Sequence, residues 1–302
     1  MVARWPYAIA ALLCSAGLWA AQAFASALPP AKPAPAPAST DVGTALGAAK
    51  ASANRLCWQQ LRALKGVSAL LCQQSGVQTS GALSVQGRPI LLRDLPAAQG
   101  IHKPTRVLVI GGIHGDEPSA TVLALHWIEL AKQIPSQSHW RFLPALNPDG
   151  LLAQKPTRTN ARGVDLNRNF PTPNWQNEAS AYWGKRTKKD PRRWPGEQPL
   201  SEPESKLVFD QMASFAPQLI VSIHAPYGVL DFDGPSIPPD KLGRLYLDQI
   251  GIYPGSLGNY AGVHRGIPVV TIELPHASRP SSVAETRQMW LDLLRWMSSK
   301  GF

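Results

Sequence analysis

Arg106–Ile134, RVLVIGGIHGDEPSATVLALHWIELAKQI, decides the fold. Its first part, RVLVIGGI, is an almost unbroken apolar run of the kind that forms a strand buried on both faces. From Glu117 onward the apolar residues recur at helical spacing, with Pro118 tolerated in the first turn. Two glycines at the junction permit a tight turn and a close approach of backbone to backbone. A buried strand running straight into a helix is half of an α/β unit, and the rest of the chain repeats the theme. WRFLPALNP (140–148), QLIVSIHAP (218–226) and IPVVTIELP (267–275) read as further strands. SEPESKLVFDQMASF (201–215) reads as a helix capped by Ser201, with Glu204 completing a capping box. SVAETRQMWLDLLRWMSS (282–299) reads as a closing amphipathic helix, GALSVQGRPILLRDL (81–95) as a hairpin, and residues 43–71 as one or two helices. This alternation predicts an α/β fold with a parallel or mixed sheet. No internal repeat and no domain boundary after residue 43 is visible.

The 302 residues carry a net charge of +10. They open on a pattern expected of an export signal: Arg4, an apolar core (YAIAALLCSAGLWAA), then Ala23-Phe24-Ala25 before Ser26. The apolar run is short for a membrane span, and Cys14 lacks the small residues a lipidation site wants before it. An uncleaved anchor, and with it a membrane association, is the alternative. Cleavage after residue 25 would remove Arg4 and leave +9. The expected location is therefore periplasmic or secreted. Residues 26–43 follow as a Pro/Ala-rich linker, and 44–302 as one catalytic domain. In an oxidising compartment Cys57 and Cys72, in the N-terminal helical segment 44–76, read as a disulfide, with two buried thiols as the alternative. The basic balance suits an anionic partner such as a cell wall. No nucleic-acid motif accompanies it; GKRTKKDPRRW (184–194) is the densest cationic stretch and reads as a solvated loop.

In open α/β sheets the active site lies beyond the carboxyl ends of the strands, which sorts the seven histidines. His126 and Glu129 sit inside a helical pattern and read as a surface pair. His114 and Glu117 follow a strand and its two glycines, and His224 ends another buried strand in the same way. Together His114, Glu117 and His224 supply two imidazoles and one carboxylate with a fourth position open, the donor set of a catalytic zinc. Two cysteines cannot make a four-sulfur site, so histidines and carboxylates must hold any metal. Glu273 stands inside the apolar strand VVTIELP, where an unpaired carboxylate is costly. It reads either as half of a buried ion pair or as a general base tuned by burial. Arg158 and Arg168 lie in the polar stretch KPTRTNARGVDLNRNFP. One arginine there can steady an oxyanion and another can grip a substrate carboxylate.

These residues resemble the M14 family of zinc carboxypeptidases. The motifs SVQGRPI, GGIHGDE, NPDG, RTNARGVDLNRNFP, SEPE, SIHAP and TIELP stand in that family's order between about Ser84 and Pro275. The resemblance implies a mixed, mainly eight-stranded sheet between helices and one zinc ion on His114, Glu117 and His224. It implies further that Arg158 polarises the scissile carbonyl, that Asn167 and Arg168 hold the terminal carboxylate of the substrate, and that Glu273 is the general base. Tyr253 is the candidate for the family's mobile tyrosine, with Tyr260 as rival. Asp116 departs from the digestive members, which carry an arginine there. GGIHGDEP, ARGVDLNRNFP and PGSLGNYAG are most similar to the bacterial branch that cleaves the γ-D-glutamyl–meso-diaminopimelate bond of murein peptides. The expected function is therefore hydrolysis of a peptide amide bond by zinc-activated water, on a substrate with a free carboxylate. A basic group (His264, Arg265, His276 or Arg279) would be expected to receive the second carboxylate of diaminopimelate. The alternatives are a zinc deacylase of the aspartoacylase and succinylglutamate desuccinylase type and a non-catalytic wall-binding protein.

Overall fold

The computed structural model describes residues 42–133 and 136–302, so the expected export signal and nearly all of the expected linker lie outside the described residues. Two helices come first, α1 (Val42–Leu61) and α2 (Ala69–Ser75), joined by a disulfide between Cys57 and Cys72. Ser68 caps α2 and Gly76 ends it in the left-handed conformation. The hairpin β1 (Gln78–Leu83) and β2 (Pro89–Leu95) follows, and then β3 (Arg106–Gly111), α3 (Pro118–Gln133) and β4 (His139–Leu143). After the short helices α4 (Pro148–Leu151) and α5 (Trp175–Ala181) come α6 (Pro203–Ser214), β5 (Leu219–His224) and β6 (Val229–Asp233). A small ladder of β7 (Lys241–Leu242) and β8 (Leu245–Tyr246), then β9 (Val269–Glu273) and α7 (Val283–Lys300), complete the order.

The main sheet runs β1-β2-β4-β3-β5-β9-β6. Its centre, β4-β3-β5-β9, is parallel, and β1, β2 and β6 pair antiparallel at the two sides. This is the expected mixed α/β sheet, with seven strands among the described residues rather than eight. The chain after β6 touches it through a single bridge, Leu230 to Leu247, and then pairs with itself as β7 and β8. Pro235, Pro238 and Pro239 lie in that segment and remove the amide donors that a full eighth strand would need.

Strand alternation divides the core. Val107, Val109, Val221, Ile223, Val270 and Ile272 face one side, where Trp127, Trp140, Trp290 and the disulfide pack. Leu108, Ile110, Ile220 and Val269 face the other, under α6, Phe170 and Tyr260. On this second face the parallel strands end polar: Ile220 is followed in phase by Ser222 and His224, and Val269 by Thr271 and Glu273. Among the described residues no helix is long and apolar enough to cross a membrane.

The predicted capping box at Ser201 does not form. α6 starts at Pro203 with Glu202 as its cap residue and no side-chain cap bond. Glu204 is buried instead, accepting from the Val85 amide (3.2 Å) and Asn160 Nδ2 (3.2 Å). The Ser201 hydroxyl donates to Glu202 (2.8 Å). A capping box does form at α7, between Ser282 and Glu285.

Candidate metal centre

The centre stands where β3, β5 and β9 end. Beyond β3 the chain turns through Gly112, at φ +63, where a Cβ would come within 2.6 Å of the Thr121 hydroxyl. Gly115 then lies against the backbone of Gly150 in α4, leaving no room for a side chain. These two close approaches aim His114 and Glu117 back over the sheet edge. His114 Nδ1 lies 2.9 Å from Glu117 Oε1 and 3.1 Å from His224 Nδ1, and His224 Nδ1 lies 3.3 Å from Glu117 Oε2. All three side chains are buried.

The groups behind them fix their orientation. His114 Nε2 lies 3.1 Å from Asp165 Oδ1, and His224 Nε2 lies 2.9 Å from the Ser222 hydroxyl. With the outer nitrogen of each ring so engaged, both inner nitrogens face the Glu117 carboxylate. Two imidazole nitrogens and a carboxylate converging within 3.3 Å are spaced to share one cation. The donor set and its spacing fit zinc, whose bonds of about 2.0–2.2 Å to nitrogen and oxygen set ligand atoms slightly more than 3 Å apart. Asp165 also accepts from Arg158 Nε at 3.0 Å. Burial works against its charge, yet Arg158 and His114 hold its carboxyl well below the usual carboxylate range.

Glu273 pairs in register with His224 across β5 and β9. It is 7% exposed, and its Oε2 has no hydrogen-bond partner. Burial pushes its carboxyl above the ordinary value; His224 opposes the rise and Glu117 adds to it. No arginine pairs with it among the described residues, so the ion-pair reading of Glu273 is set aside.

One cavity gathers His114, Glu117, His224, Glu273, Arg158, Asn167, Arg168 and Tyr253. The Asn167 carbonyl oxygens are both occupied, by the Leu257 amide (to Oδ1, 2.8 Å) and by Arg168 Nη1 (to the backbone O, 2.6 Å). The Arg168 guanidinium stacks 4.5 Å over the Tyr253 ring, and its Nε is buried without a partner. Tyr253 therefore borders the cavity, while its rival Tyr260 packs in the core. The four groups expected to receive a second carboxylate are not there. His276 and Arg279 border a separate pocket beside α7, and His264 and Arg265 belong to an exposed turn. Asp116 bonds Arg192 at 2.8 Å; the 184–194 stretch is largely exposed, as a solvated loop would be, and Arg193 alone of its residues borders the cavity.

Sequence reading missed Asp165, Ser222, Arg193, Asp231 and Asp233. Asp165 and Ser222 were in principle discernible, since each stands two residues from a named site residue near a strand or loop end. Arg193, Asp231 and Asp233 reach the cavity only through tertiary packing.

The zinc carboxypeptidase family pattern matches residues 73–232. Murein peptide amidase A of Vibrio campbellii is 31% identical over 224 residues, spanning 72% of this chain and 87% of that protein. Murein peptide amidase A of Escherichia coli K12 is 30% identical over 220 residues, spanning 70% and 87%. The crystal structure of a murein-tripeptide amidase from Escherichia coli O157 is similar at a TM-score of 0.53 and 27% identity, covering 71% of this chain and 90% of that one.

Proposed function

The chain belongs to the zinc carboxypeptidase family and is a hydrolase, and from that premise we propose that it is a zinc-dependent amidase of murein peptides, cutting the γ-D-glutamyl–meso-diaminopimelate bond outside the cytoplasm. Relatives named murein peptide amidase A, alike over some seven-tenths of the chain, support the substrate class. The convergence of His114 Nδ1, His224 Nδ1 and the Glu117 carboxylate beside the unpartnered Glu273 carboxylate carries the reading.

His114, Glu117 and His224 would hold one zinc ion. When bound, zinc polarises a carbonyl and lowers the pKa of water. The chain's own groups do the rest. Glu273, whose burial raises its proton affinity, takes the proton of the attacking water and hands it to the departing amine. Arg158, held against Asp165, donates to the oxyanion that develops on the scissile carbonyl. Asn167 and Arg168 grip the carboxylate of the leaving residue and so fix which bond lies at the metal. The Tyr253 ring backs Arg168.

Zinc-loaded protein incubated with L-Ala-γ-D-Glu-meso-diaminopimelate should release meso-diaminopimelate, identified by mass, and a chelator should stop it. Activity confined to N-acyl amino acids would instead establish the deacylase alternative. Unchanged turnover after removal of the metal would sink the assignment of His114, Glu117 and His224.

A further inference from the structure

A second groove opens beside the metal centre. It holds about 600 Å³, and Trp183, Trp194, Pro156 and Pro191 make its lining mostly apolar. It meets the catalytic cavity at Arg158, which borders both, and takes in none of Asn167, Arg168 and Tyr253. In the proposed mechanism Arg158 stands at the scissile carbonyl, while Asn167 and Arg168 hold the leaving residue. A groove that joins the cavity at the first and not at the others therefore runs along the acyl side of the bond.

The two tryptophans are held in place although the chain between them is exposed. The Trp183 indole N–H donates to the Asp190 carbonyl (2.8 Å), and the Trp183 carbonyl accepts from the Thr187 hydroxyl (2.6 Å) and the Lys189 amide (2.9 Å). The Trp194 carbonyl accepts from the amide of Asp165 (2.8 Å), the residue that stands behind His114 and Arg158. Between the tryptophans, residues 185–193 carry six lysines and arginines and a single aspartate. Both rings are only half-buried. Large apolar rings kept partly in water beside so cationic a segment forgo the burial that a core position would give, which marks a ligand surface. The charge of Arg192 is met by Asp116. Lys155, exposed on the groove, takes part in no ion pair among the described residues.

The proposed bond says which occupant fits. A γ-linked glutamyl residue keeps its own α-carboxylate, so the acyl side of the substrate is anionic where it enters a groove with an unpaired lysine. Farther along, a murein peptide hangs by its amino end from a sugar. A pyranose has a face of C–H groups, which packs on aromatic rings, and a rim of hydroxyls, which needs polar edges. The groove offers both, with indole rings in its lining and the exposed Lys155 and Thr157 beside them. Outside the cytoplasm, the proposed location, the peptide is still carried on its glycan. We propose that this groove is a sugar site, and that the enzyme takes wall peptides still attached to an N-acetylmuramyl ring, which packs on Trp183 and Trp194. The inference rests on the amidase reading and names the form of its substrate.

Calorimetric titration of the zinc-loaded protein with N-acetylmuramyl-L-Ala-D-Glu and with L-Ala-D-Glu, the acyl halves of the two forms of substrate, tests this without turnover. The muramyl compound should bind at least about 10-fold more tightly, the size of two aromatic contacts. N-benzoyl-L-Ala-D-Glu, which has a ring but no hydroxyls, should fall short of it. Trp183→Ala and Trp194→Ala should each shrink the preference for the muramyl compound. Equal binding of the muramyl compound and the bare dipeptide, no measurable binding of the muramyl compound, or a benzoyl compound that matches it overturns the proposal, whether or not the variants fold. If the preference holds but N-acetylmuramyl-L-Ala-γ-D-Glu-meso-diaminopimelate is not hydrolysed, the sugar site stands and the amidase reading falls.

Discussion

Glu273 is the side chain on which the proposed chemistry turns. Its carboxylate is buried, unpartnered at Oε2 and beside His224 in the sheet, which suits a proton carrier and wastes stability in any other role. Glu273→Gln keeps the shape and removes the base. Turnover of the tripeptide should fall by about 10²–10⁴-fold while the zinc content of the purified protein, measured by atomic absorption, stays at one per chain. A variant that turned over normally would refute the base assignment. Asp165 acts through others. It orients His114 from behind and holds Arg158, so Asp165→Asn should weaken zinc binding by about 10–100-fold in a chelator competition, a readout that a defect confined to substrate binding would not move. That His114, His224 and Glu273 share one cavity was legible in sequence because each ends or follows a recognisable apolar run. Asp165 lay hidden in a polar loop whose neighbours, Asn167 and Arg168, drew the attention. Asp231 and Asp233 were harder still: an Asp-Phe-Asp alternation states that two carboxylates share a face, but not which face is the site.

The βα unit at β3 and α3 could be read outright, because a continuous apolar run, two glycines and a proline in a first turn all point the same way. The start of α6 was misread because a local rule competed with distant contacts. Glu204 is drawn away from its own helix end by Asn160 and the hairpin amide of Val85. Other motifs likewise serve as posts between elements: Asp149 at the start of α4 accepts from the Ser84 hydroxyl, the Gln86 amide and Arg88, docking the hairpin under the metal loop. At the far side of the sheet β2 and β4 are joined by Asp94, which accepts from Arg141 Nε at 2.7 Å and lies 3.0 Å from His139 Nε2. Burial opposes the charge of Asp94, but Arg141 and His139 lower its carboxyl below the ordinary carboxylate value. A depressed folded-state pKa contributes stability at pH values above the unfolded one, lost as pH falls through the folded one. The unfolding midpoint in urea of the unaltered protein should therefore exceed that of Asp94→Asn at pH 6 by a margin worth less than about 1 kcal/mol, given partial exposure and screening. That margin should close below about pH 4. A margin that grew on acidification would contradict the pairing.

At the scale of the whole molecule the two faces of the sheet divide the labour. One holds the tryptophan-rich core with α1, α2, α3 and α7; the other carries the strand ends with the proposed metal ligands and the proposed base. The disulfide belongs wholly to the first, since Cys57 and Cys72 are buried there beside Leu61 and Leu71. Its effect should therefore be on the unfolded chain and not on the site. It closes a loop of 14 intervening residues, for which chain entropy gives roughly 3 kcal/mol. In a domain of this size each kilocalorie moves the melting temperature by about 2–4 °C. The double variant Cys57→Ala, Cys72→Ala, melted at saturating zinc, should thus unfold about 6–12 °C lower than the unaltered protein. Reductant should lower the melting point of the unaltered protein by a similar amount and leave the variant where it is. Below its transition the variant should keep the full kcat on the tripeptide, because none of the cavity residues touches the bridge. A variant that lost activity while its melting temperature held would show that the N-terminal helices shape the site, and the separation of faces would fail.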